Sequence, residues 1–129
     1  MSAMTPGRSA SFAAVATLIL LLTSRTTGST PPAITGEIVE TYCWAKMRVG
    51  GAAHAACGID CAKRGIPVAV VDSQTRTAYV LLPGRDKASV PAELIAMMGR
   101  NVTIRGEVVK RGGASFLTVQ SWTPARAAR

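Results

Sequence analysis

Every cysteine of the chain and its single histidine fall in one window, "TYCWAKMRVGGAAHAACGIDCAKRG". Cys43 is followed after ten residues by His54, then after two by Cys57 and after three by Cys61. Three thiolates and one imidazole make a tetrahedral zinc set, and thiolate with imidazole also suits copper, above all Cu(I). On a helix the side chains of His54, Cys57 and Cys61 lie within about 60° of one another, so they share a face. The rise is less favourable, because about 10 Å of helix axis separates positions 54 and 61. A common ion therefore requires the helix to fray near His54 or to begin after it, and Gly50-Gly51 supplies a loop in which that can happen. The expected ligands are Cys43, His54, Cys57 and Cys61, holding Zn or Cu.

The same thiols support a second expectation. Outside the cytoplasm disulfides persist, and a bridge from Cys43 to Cys57 or to Cys61 would staple the start of the domain to the helix and leave one thiol over. A bridge between Cys57 and Cys61 is poorer, since consecutive turns of a helix hold the Cβ atoms too far apart. The alternative is thus a metal-free, disulfide-stapled binding module for a protein or anionic partner. Catalysis finds less support. Cys-x-x-Cys-His and Cys-x-x-Cys are both absent, and no third group is placed to orient a cysteine and histidine pair, so no enzymatic activity is expected. Met47 offers a soft extra donor but more often such a residue packs. Asp60 and Lys63 flank Cys61 and read as solvated.

These ligands must be positioned by the elements around them. Ile34 to Cys43 is rich in β-branched and aromatic residues and reads as a first strand. Ala52 to Arg64 is alanine-rich and free of proline, with Gly65 as a stop, and reads as a helix. Val68 to Val71 and Thr77 to Leu82 form a hairpin around Asp72-Ser73-Gln74-Thr75. Ser89 as cap and Pro91 in the first turn open a helix of about two turns over Ala92 to Met98, with Met97-Met98 in the core. Asn101 to Lys110 alternates, with Gly106 as a bulge, and after the Gly112-Gly113 turn Ser115 to Trp122 is the last strand. The order predicts a mainly β fold: a small five-stranded OB-like Greek-key barrel with a Cys/His-bearing helical insert between strands 1 and 2 and a short helix between strands 3 and 4. Gly36 and Gly106 would relieve its strongly coiled strands.

At Tyr42, Cys43, His54, Cys57, Cys61, Gly65 and Pro67 the sequence resembles small exported bacterial proteins, mostly of unassigned function, whose barrel-like domains carry Tyr-Cys and then His-x-x-Cys-x-x-x-Cys-x-x-x-Gly-x-Pro. The resemblance runs from about Gly36 to Trp122 and implies the fold more than a mechanism. More distantly, the Cys-x-x-x-Cys is similar to that of copper-handling proteins serving respiratory oxidases, although here one histidine stands where a binuclear copper centre would need two.

The chain of 129 residues suits one domain. Arg8, the apolar run Ala10 to Leu22 and the small polar stretch to Thr30 read as an export signal; 13 apolar positions are short of the about 20 that cross a bilayer. An uncleaved N-terminal anchor is the alternative and the only expected membrane contact. The expected organisation is a signal peptide at 1–29, an OB-like metal-binding domain at 30–123 and a flexible basic tail at 124–129, in a periplasmic or secreted protein. Cleavage after Ser29 leaves 100 residues, and the loss of Arg8 and Arg25 lowers the net charge from +8 to +6. The basic residues are scattered and the aromatics form no stacking series, which argues against nucleic acid and leaves a metal ion, with an envelope protein as a possible further partner.

Overall fold

Apart from Met1, the computed structural model describes residues 29–126, so the expected signal peptide and the last three residues of the tail lie outside the described residues. Five strands form one mixed sheet: β1 (Ala33–Glu40), β2 (Val68–Asp72), β3 (Ala78–Leu82), β4 (Asn101–Arg111) and β5 (Ala114–Pro124). Neighbours run β1-β2-β3-β5-β4, and β4 pairs back onto β1, so the sheet closes in a ring. Only the β3–β5 pairing is parallel. Helix α1 (Ala55–Lys63) lies between β1 and β2, and α2 (Ala92–Ile95) between β3 and β4. The expected mainly β arrangement, with its helical insert and its short second helix, is the one observed.

Alternation along the strands sorts the core. Ile38 of β1, Val68 and Val70 of β2, Val102 and Ile104 of β4, and Leu117 and Val119 of β5 fill the ring, joined by Leu81, Leu94 and Met98. The opposite parity of β1 and β2 supplies a smaller cluster, Val39, Ala69 and Val71, covered by Trp44. Glu40 has the same parity as Ile38, so the strand delivers an acid to the inner side, and it is 2% exposed.

Gly106 is indeed at an irregularity. The β4–β5 register shifts between Arg105 and Gly106, leaving Gln120 unpaired, and this lets both Val119 and Trp122 pack toward the core. A Cβ on Gly106 would fall on the carbonyl oxygen of Thr118, so no side chain fits.

Two local expectations are corrected. The first strand ends at Glu40 rather than at Cys43, because the Glu40 carboxylate accepts hydrogen bonds from the backbone N–H of Tyr42 at 3.0 Å and of Cys43 at 2.6 Å, turning the chain into a π-helical turn over Cys43–Met47. The second helix spans only Ala92–Ile95, followed by turns to Gly99; its cap is Pro91, whose carbonyl accepts from Leu94, and Ser89 plays no part. The core role expected of Met98 holds, since it is 3% exposed.

Candidate metal centre

The helix start is where the ligand geometry is decided. Residues 52–54 form a single 3-10 turn and α1 begins only at Ala55, so His54 stands at the cap and not inside the helix. The Glu37 carboxylate accepts from the N–H of Gly51, tying the glycine loop to β1. At the other end, Gly65 donates to the carbonyl of Ala62 at 3.0 Å and Ile66 to that of Cys61 at 3.2 Å, the paired bonds of a Schellman stop, with Gly65 in the left-handed region. The helix carrying Cys57 and Cys61 is therefore bounded by sequence-encoded signals at both ends.

What brings it onto β1 is Gly58, a residue that the sequence reading passed over. Its hydrogen faces Met98 and Glu40; a Cβ there would lie 2.7 Å from Met98 Cγ and 3.6 Å from Glu40 Cγ. The missing side chain lets α1 approach closely, with Cys57 just before the contact and Cys61 one turn on.

The four expected ligands divide into two sets. Donor atoms of Cys43, His54 and Cys57 lie within 4.8 Å of one another. Cys61 falls in a second group with Cys43 and Glu40, under the same limit. Bonds of about 2.3 Å to sulfur and about 2.0 Å to nitrogen require donors roughly 4 Å apart, so small side-chain adjustments suffice. Glu40 was not foreseen as a member, since an acid at the end of a strand ordinarily faces water; the parity shared with Ile38 was the only available signal. Met47 is exposed and so is not packed in the core.

All three cysteines are free, so the disulfide expected as the alternative is not formed. Cys43 is buried, Cys61 half-buried and Cys57 exposed. A hydrogen bond to the Glu40 carboxylate, together with burial and the negative field of Glu40, pushes the Cys43 thiol up to about 12. Burial, then Cys57 and Glu40, also raises the Cys61 thiol. Both effects keep the thiols protonated until a positive charge arrives. His54 Nε2 is buried and has no hydrogen-bond partner. Buried polar atoms are nearly always satisfied, and the ring that carries this one has a nitrogen within 4.8 Å of two thiol sulfurs.

No protein-family model matches the chain, and no characterised protein or solved structure matches it. The case for function rests on the site itself.

Proposed function

We propose that the chain is an exported metal-binding protein, periplasmic or secreted, whose OB-like barrel carries a Zn or Cu site on the insert between β1 and β2. The observation that carries this reading is His54: its Nε2 is buried without a hydrogen-bond partner, and a nitrogen of its ring lies within 4.8 Å of the Cys43 and Cys57 sulfurs. A neutral imidazole has one ring nitrogen with a free lone pair, and no hydrogen bond at Nε2 competes with a cation for it; the two sulfurs complete three corners of a tetrahedron. The ring order β1-β2-β3-β5-β4 and the parallel β3–β5 pair support the OB-like assignment, and with it the resemblance to small exported domains.

The chain's residues would act as follows. Cys57, whose thiol is exposed, and buried Cys43 would hold the ion as thiolates with the His54 imidazole as the third donor; each thiol would release its proton to solvent, that of Cys43 by way of the adjacent Glu40 carboxylate. Bound metal would supply electrostatic cross-linking of the turn after β1 to α1. Three protein donors leave one position for an exchangeable ligand, which suits handling of an ion more than a closed structural site. The role assigned to the site is metal handling or structure rather than turnover.

The test is metal analysis and intact mass of the exported, purified chain. Bound zinc or copper with three reduced thiols supports the reading. Two hydrogens lost and no metal would overturn it in favour of the stapled module. His54→Ala should lower metal affinity at least tenfold with little change in fold, since no hydrogen bond is lost.

A further inference from the structure

One buried acid is not accounted for by a single ion at Cys43, His54 and Cys57. Glu40 is 2% exposed, yet no Lys or Arg pairs with it; among the described residues the one ion pair joins Arg64 to Asp60 on the surface. Two backbone N–H groups satisfy its oxygens in part. A carboxylate so enclosed is normally retained against a cation. Its oxygen, Cys43 Sγ and Cys61 Sγ lie within 4.8 Å of one another, and this triad shares Cys43 with the first.

We propose that the centre holds two divalent cations, an outer one at Cys43, His54 and Cys57 and an inner one at Glu40, Cys43 and Cys61, bridged by the Cys43 thiolate. This rests on the metal-binding reading above and adds a second ion and a carboxylate ligand to it. The charges favour it. Three thiolates and one carboxylate carry four negative charges. One divalent ion at the outer position is balanced by the Cys43 and Cys57 thiolates and leaves the Glu40 charge uncompensated in a residue that is 2% exposed, whereas a second ion, with Cys61 ionised, brings the whole set to neutrality. A thiolate sulfur has lone pairs enough for two metal bonds. A carboxylate is a hard donor, so the inner position favours Zn2+ over Cu(I). Loading changes no oxidation state: each cysteine exchanges its proton for a metal–sulfur bond and the proton goes to solvent. The gradient of exposure, from Cys57 through His54 and Cys61 to Cys43 and Glu40, gives the order of filling from outside inward.

Native mass spectrometry of the reduced chain titrated anaerobically with Zn2+ reads the stoichiometry directly. Two Zn2+ per wild-type chain are expected, falling to one in Glu40→Gln and in Cys61→Ser, with at least a tenfold loss of affinity for the second ion. Because Glu40 also holds the turn after β1, Cys61→Ser tests the inner position on a residue that does not. One Zn2+ in the wild-type chain, or two retained in both variants, would overturn the second ion while leaving the metal site standing. No Zn2+ in the wild-type chain would overturn both.

Discussion

Glu40 and Cys43 behave as one unit: the carboxylate accepts from the Cys43 N–H at 2.6 Å, both residues are buried, and the same carboxylate pushes the neighbouring thiol's pKa up. The acid that ends β1 therefore does two jobs. It bends the chain away from the sheet, and it holds the thiol protonated at the place where α1 presents Cys57 and Cys61.

That coupling gives the metal-free protein a pH dependence with a definite sign. The folded-state pKa of Cys43 is raised from 9.0 to about 12, so its contribution to stability is complete below pH 9 and is lost as pH rises toward 12, where the unfolded chain ionises first. Cys61, raised in the same direction, adds to the slope. Denaturant midpoints measured across this range should fall for the wild type, and the fall should be shallower in Cys43→Ala. Equal slopes in the two proteins would remove Cys43 as the cause.

Alkylation should follow the same gradient. At pH 8 a short iodoacetamide pulse is expected to label exposed Cys57 first and buried Cys43 last, and peptide mapping reads the order. Saturating Zn2+ should protect Cys57 and Cys61 together. Early labelling of Cys43 would contradict the placement of its thiol.

Gly58→Ala separates local propensity from packing. Helix propensity alone predicts a gain of about 1 kcal/mol. The new Cβ would lie 2.7 Å from buried Met98 Cγ, and overpacking of this kind costs about 1–3 kcal/mol. Urea unfolding should show a net loss of about 1 kcal/mol, accompanied by weaker zinc binding because α1 is pushed off Glu40. A variant more stable than the wild type would show that the helix does not need this close approach.

At the far turn, Asp72 Oδ1 accepts from the N–H of Gln74 at 2.7 Å and of Thr75 at 3.1 Å, which lowers its pKa below 3.8. Its contribution is therefore present above pH 3.8 and disappears as pH falls through the lower folded-state value. Asp72→Ala should cost about 1 kcal/mol at pH 7. The difference from wild type should vanish in strong acid, as measured by thermal melts at pH 7 and pH 2.

Much of this was legible in the residues. The three cysteines and one histidine announced a ligand set by type alone, Gly65 marked the helix stop, and Gly106 marked the bulge. What stayed hidden depended on three-dimensional parity and contact. Tyr42 and Cys43 have good strand propensity, but the inward-facing Glu40 captures their N–H groups and turns them out of the sheet. Nothing in the linear sequence marks Gly58, whose role depends on Met98 and Glu40 packing against it from other elements. The split of four ligands into two triads arises from His54 at the helix cap and Cys61 one turn inside, a separation that linear spacing could suggest but not resolve.

The central claim is that these thiols and this imidazole bind a metal ion, and anaerobic titration of the reduced chain with Co2+ tests it most directly. The account predicts intense near-ultraviolet charge-transfer absorption from thiolate to Co2+ and visible bands of tetrahedral strength, both weakened in His54→Ala and absent in Cys43→Ala. A spectrum that remains that of hydrated Co2+ throughout the titration would contradict it.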